Sequence, residues 1–183
     1  MASKWLEALV QIAPNVRRAA ILFNPDTAPG AGLYYMASFE AAALSLGIKP
    51  IAAGVRSDDE IETAITLLGN EPGGGLVIMT DSFTVVHRAP IISAAARNKV
   101  PAVYWSSNYV REGGLISYGP DVSDSYARAA PYADRILRGA NPADLPVQLP
   151  VKFEMAVNRK AATALGLEVP NSVLLRVDEL IDN

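Results

Sequence analysis

The sequence predicts an α/β fold, in which a parallel sheet is covered by helices on both faces. Three observations point that way: short β-branched runs alternate with longer stretches of helical spacing, polar clusters follow the β-runs, and half the chain is apolar. Of 183 residues, 50% are hydrophobic, and 16 Lys plus Arg against 19 Asp plus Glu give a net charge of −3. A chain of this length makes one domain, or one and a half, and buries roughly 70% of the surface its unfolded form exposes. Cysteine is absent, which excludes disulfides, thiolate metal sites and Cys nucleophiles. The dispersed, mildly acidic charge lacks the basic stripe that nucleic acid requires, so no nucleic-acid partner is expected. No apolar run approaches the roughly 20 residues needed to span a bilayer. Met1 to Leu6 is amphipathic and unlike a signal peptide, so the chain as written is expected in the cytoplasm.

Taken in order, Ser3 is a candidate cap for a first helix carrying Trp5, Leu6, Leu9 and Ala13 on one side, ended by Pro14-Asn15. Residues 18–23 read as a buried strand that stops at Asn24-Pro25-Asp26. A helix follows from near Gly32, with Met36, Phe39, Ala43 and Leu46 on one face and Gly47 as its stop. Residues 48–55 form a second strand. Ser57 and Glu60 have capping-box spacing ahead of Ile61, Ala64, Ile65 and Leu68. Gly73-Gly74-Gly75 turns into a third strand, Leu76 to Met79, ending at Thr80-Asp81-Ser82. A helix near 89–98 leads to a fourth strand at 100–105. The right-handed crossover rule makes these four strands parallel.

The last third differs. Residues 113–119 read as a short strand leaving the sheet, and a helix over 123–138 carries Tyr126, Ala130, Ala133 and Leu137 inward. A Pro-rich connector over 141–150 precedes a strand at 151–157 with one wet face. Asn158 caps a short helix through Leu165, and Pro170 opens a tail finishing in Asp178-Glu179-Leu180.

In an open parallel sheet, function collects at the carboxyl ends of the strands. Three polar clusters fall there: Asn24-Pro25-Asp26-Thr27, Thr80-Asp81-Ser82 and Ser106-Ser107-Asn108. Each taken alone reads as a helix cap, whereas three on one edge suggest a polar pocket. Tyr34, Tyr35, Tyr104, Trp105 and Tyr109 lie near that edge, mostly as packing, with stacking area for a ring-bearing ligand. Gly30-Ala31-Gly32 is a poor dinucleotide loop, because the expected third glycine is Tyr35 and the second strand ends in Arg56. A receiver-like phosphoacceptor built on Asp26, Asp81, Ser106 and Lys152 would place a single acid after the first strand and its lysine behind a long connector. His87 is the single histidine and no Gly-x-Ser-x-Gly elbow occurs, so hydrolase chemistry has little support. No cofactor or metal is expected.

Several segments together resemble ABC-transporter substrate-binding proteins of the tryptophan/tyrosine-binding type. They are Phe23-Asn24-Pro25-Asp26-Thr27-Ala28-Pro29, Phe39-Glu40-Ala41-Ala42-Ala43 with Leu46-Gly47, and Gly113-Gly114-Leu115-Ile116-Ser117-Tyr118-Gly119. Asp134 to Gly139, Pro142 to Val147, Lys152-Phe153-Glu154 and Ala161 to Gly166 extend the likeness nearly to the end. The resemblance implies a bilobal receptor of the type I periplasmic-binding architecture, two Rossmann-like three-layer αβα lobes closing on a small solute such as an amino acid, without catalysis. It further implies a permease partner and a periplasmic location. The expected division is an N-terminal helix and linker over 1–17, a Rossmann-like lobe over 18–119, and a crossover helix, connector and returning strand-helix over 120–183.

By position, the resemblance assigns ligand binding to Asn24, Asp26, Thr80, Asp81, Ser117 and Tyr118. Asp81 would pair with a ligand ammonium, and helix N-termini would hold a carboxylate. The chain departs from the family in lacking most of a first lobe. The face of the 123–138 helix holding Tyr126, Ala130 and Ala133 is then expected to be uncovered, and a homodimer to form through it. Loss of one cleft wall is expected to leave solute binding weak or absent in this chain alone. A receiver-like phosphoacceptor and a noncatalytic interaction module without a ligand stay open as other readings.

Overall fold

The computed structural model describes residues 1–182. Seven strands form one sheet: β1 (Arg18–Phe23), β2 (Lys49–Gly54), β3 (Gly74–Ile78), β4 (Ala102–Tyr104), β5 (Ile116–Pro120), β6 (Phe153–Asn158) and β7 (Glu179–Ile181). Their spatial order is β2-β1-β3-β4-β5-β6-β7. The first five run parallel, β6 is antiparallel to β5, and β7 is parallel to β6. The helices are α1 (Ala2–Ile12), α2 (Leu33–Ser45), α3 (Asp58–Gly69), α4 (Ser82–Val86), α5 (Arg88–Arg97), α6 (Ser107–Arg111), α7 (Val122–Leu137), α8 (Arg159–Ala164) and α9 (Asn171–Leu174).

The predicted α/β class is what forms, because the β1, β3 and β4 runs are apolar at every position but Arg18, which opens β1, and they bury both faces. On one face α1 and α2 bring Trp5, Leu6, Leu9, Ile12 and Phe39 against Ile21, Val77, Val103 and Ile116. On the other, α3 and α5 bring Ile61, Ile65 and Ile91 against Leu22, Leu76, Ile78 and Tyr104. The α3 start follows its capping box: the Glu60 N–H donates to Ser57 Oγ at 3.2 Å, while the Glu60 carboxylate accepts the Arg56 N–H at 2.8 Å. The α1 cap falls two residues earlier than expected, at Met1 and not Ser3, with no side-chain bond there.

Four features differ from the sequence expectation. β5 does not leave the sheet; it lies inside it, with Val103 and Tyr104 of β4 facing Ile116 and Ser117, and β6 on its other side. This placement needs glycines: a Cβ at Gly119 would lie 1.8 Å from the Trp105 carbonyl oxygen, and one at Gly114 would lie 2.5 Å from the Tyr104 ring. The polypeptide therefore closes onto β4 without side chains at those two points. β6 lacks the expected wet face along Met155–Asn158, which is buried because α6 and β7 cover it.

The third difference is α7. Its apolar residues do not face inward: no α7 residue is buried, with Tyr126 76% and Leu137 87% exposed. The helix leaves the sheet as an arm, and the Pro-rich connector returns along it, the Tyr132 hydroxyl donating to the Pro146 carbonyl at 2.6 Å. The tail beyond Pro170 is the fourth. It holds α9 and then β7, which extends the sheet and is pinned by a two-pronged Arg111–Glu179 pair at 2.9 and 2.7 Å.

Candidate functional site at the carboxyl edge

Strand order brings the loops after β1 and β3 side by side, since these strands are neighbours. Asp81, 5% exposed, is the node between them. Its Oδ1 accepts the Thr84 N–H at 2.8 Å, capping α4, and the Thr27 hydroxyl at 3.3 Å; its Oδ2 accepts the Asn24 N–H at 3.1 Å. Three donors satisfy this buried carboxylate without a cation, and a carboxylate has about four lone-pair positions. One acceptor position on Oδ2 is left.

Asn24, also 5% exposed, folds the first loop back on itself. Its side-chain oxygen accepts the Asp26 N–H at 2.7 Å and its carbonyl accepts the Ala28 N–H at 2.8 Å. Its side-chain NH2 donates to no group among the described residues. Asp26 points elsewhere: it is exposed at the rim and pairs with Arg56 Nε at 2.9 Å.

Thr80 is half-buried and lies against the Tyr35 phenol. Burial pushes that phenol above its usual pKa, with Tyr34 adding to the rise and Thr80 opposing it. Tyr35 begins an aromatic row: it meets Tyr34 edge-on at 4.8 Å and Trp5 at 5.3 Å. Trp5 Nε1 donates to the Tyr118 carbonyl at 2.8 Å, and the Tyr118 ring stacks on Phe153 at 5.8 Å with 17° between planes. Tyr118 is thus joined to Thr80 through Trp5 and Tyr35.

Ser117 lies apart from this group. Alternation along β5 turns it to the face opposite Tyr118, where it is 1% exposed and its hydroxyl has no partner among the described residues. Of the aromatics singled out from sequence, Tyr104 and Tyr109 are core side chains stacked at 4.9 Å, while Tyr34, Tyr35 and the half-buried Trp105 stay near the edge. Trp5 and Phe153 were missed as site residues. The helical phase of Trp5 marked it only as apolar, although its N–H is a polar handle that a buried tryptophan must satisfy.

None of the hollows described encloses Asn24, Asp81 and Tyr118 together, so the edge is an open wall. The other chemistries lose their residues here. Lys152 pairs with Asp121 at 2.7 Å, far along the sheet from Asp81, and Asp26 is engaged by Arg56. No group of three His, Cys, Asp or Glu among the described residues converges on a metal position. Gly30-Ala31-Gly32 makes a 3-10 turn with φ of 59°, 53° and 90°, and Tyr35 packs on Trp5. His87 Nδ1 meets Asp58 Oδ1 at 2.6 Å on the surface.

The sheet is mostly parallel, its loops gather at the carboxyl edge as an open polar wall, and the α7 arm is left uncovered. The ABC transporter substrate binding protein family matches residues 1–181, and the chain belongs to that family. A tyrosine-binding protein from Clostridioides difficile (strain R20291) is 24% identical over 166 residues, covering 90% of this chain and 47% of that protein. Among solved structures, a conserved domain protein from Vibrio cholerae superposes with a TM-score of 0.87 at 24% identity. An ABC domain from Streptococcus pneumoniae in complex with L-Trp does so with the same TM-score and identity. Each covers 98% of this chain and 60% of its own, so the chain spans less than two thirds of these proteins. The shared fold is that of the substrate-binding domains of type I periplasmic binding proteins.

Proposed function

We propose that the carboxyl edge of this sheet is one wall of a cleft that binds an aromatic amino acid, without catalysis, in a receptor that delivers it to a membrane permease from the periplasmic or extracellular side. The observation that carries this reading is the Asp81 clamp: a buried carboxylate with one acceptor position left, beside a row of aromatic rings. The ligand ammonium takes that position on Asp81, a charge-assisted bond. The Asn24 side-chain amide donates to the ligand carboxylate, Thr80 borders the backbone of the ligand, and Tyr35 and Tyr118 offer faces for its ring. The names of two relatives, one tyrosine-binding and one holding L-Trp, agree with such a ligand.

An open wall buries little of a small ligand, so the affinity of this chain alone for L-Trp is expected near 1 mM, about −4 kcal/mol. Calorimetry compares L-Trp with indole-3-propionate, which lacks the ammonium. Binding of the deaminated compound at least about tenfold weaker supports the role of Asp81; equal binding of both contradicts it.

The α7 arm carries exposed Tyr126, Ile136 and Leu137, an apolar stripe whose occupant we take to be a second copy of this chain. The connector residues Val147, Leu149 and Val151, also exposed, enlarge the patch. Light scattering across micromolar concentrations is expected to show a dimer that Tyr126→Asp with Leu137→Asp disperses. A monomer throughout contradicts self-association.

A further inference from the structure

At the amino edge of the sheet, away from the Asp81 clamp, α5, α8 and the start of β5 enclose a hollow of about 230 Å³. Its walls are apolar, including Ile92, Ala95, Val100 and Leu165, and no acidic side chain lines it. Three polar side chains interrupt this surface, and one of them, Asn158, is engaged by the Val110 carbonyl and the Ala161 N–H. Tyr104, 1% exposed, forms part of the wall, and its hydroxyl makes no hydrogen bond with any described residue. Unlike that of Ser117, this unpaired hydroxyl is not sealed off, so it is a donor that a guest in the hollow can reach. Burial holds its phenol above the usual pKa, so it stays protonated at neutral pH. Lys160 also lines the hollow and enters no ion pair among the described residues; it is the one charged side chain of the lining.

We propose that this hollow is a second binding site, for a small aromatic carboxylate bearing a polar atom at the far end of its ring. The carboxylate meets Lys160, the ring fills the apolar space, and the polar atom accepts from the Tyr104 hydroxyl. The size agrees: a dry cavity of about 150 Å³ takes a benzene ring, and this one has room for a ring with two short substituents. It is smaller than the roughly 300 Å³ at which sites for drug-sized ligands begin. This site is independent of the carboxyl-edge cleft and shares no residue with it.

The test is a two-dimensional NMR titration of the full chain with 4-hydroxyphenylacetate and with phenylacetate. Saturable shifts are expected at the Gly113, Gly114 and Ala161 amides, with a dissociation constant near 1 mM and a preference of about fivefold for the hydroxylated acid. Lys160→Gln, a surface change, should weaken both acids about three- to fivefold. Tyr104→Phe, which keeps the ring, should erase the preference between them. Shifts confined to the Asn24 and Asp81 loops, no saturable shift, or binding unchanged by Lys160→Gln would each overturn the proposal while leaving the carboxyl-edge reading untouched.

Discussion

Replacing Asp81 with alanine is expected to cost about 2–4 kcal/mol of folding stability, the sum of the helix cap lost at the Thr84 N–H and the donor stranded at the Asn24 N–H. The side chain is 5% exposed and accepts from Asn24, Thr27 and Thr84. Truncation leaves the Asn24 and Thr84 N–H groups facing an apolar methyl. Because a domain of this size is stable by only about 5–15 kcal/mol, the loss should be plain as a lowered urea midpoint followed by circular dichroism. Asp81→Asn keeps one acceptor and nearly the same shape, so it should lose about 1–2 kcal/mol. If both variants unfold at the wild-type midpoint, the clamp is not what joins the two loops. The pair also separates roles: Asp81→Asn retains the fold but removes the charge that a ligand ammonium requires.

Trp5→Ala should be comparably severe, about 3–5 kcal/mol, for a different reason. The indole is 1% exposed and fills the space between α1 and the sheet. Its N–H donates to the Tyr118 carbonyl, and its ring rests on Tyr35. Removing it opens a cavity and frees both tyrosines that face the proposed cleft. Trp5→Phe retains most of the packing and loses the hydrogen bond, an expected cost of about 1–2 kcal/mol. Urea unfolding distinguishes the two, and equal midpoints for Trp5→Ala and wild type would show that α1 is a mere linker to the sheet.

That role of α1 marks a boundary of what could be read from residues alone. The apolar phase of Trp5, Leu6 and Leu9 announced a helix with one buried side, but nothing local says that its first turn reaches the carboxyl edge. The runs at β1, β3 and β4 were legible because, Arg18 apart, every position in them is apolar, and the Ser57–Glu60 box because its chemistry is local. The contact between Asn24 and Asp81 was half legible: strand ends predicted that both loops share an edge, while their adjacency follows from β1 lying next to β3. Helices α4 and α6 have five residues each and β7 has three, too short for a periodic signal. The α7 stripe was visible as amphipathic spacing. Periodicity reports an apolar face without naming what covers it, and here the rest of the chain does not. Ser117 and Tyr118 were grouped as neighbours in sequence, yet strand alternation sends them to opposite faces.

The central claim is that the loops after β1 and β3, with the aromatic row beside them, receive the solute. Mapping amide shifts of the chain during titration with L-Trp addresses it directly. Saturable shifts concentrated at Asn24, Thr80, Asp81 and Tyr118, and absent in Asp81→Asn, are the expected result; shifts that saturate elsewhere, or persist unchanged in that variant, would contradict it.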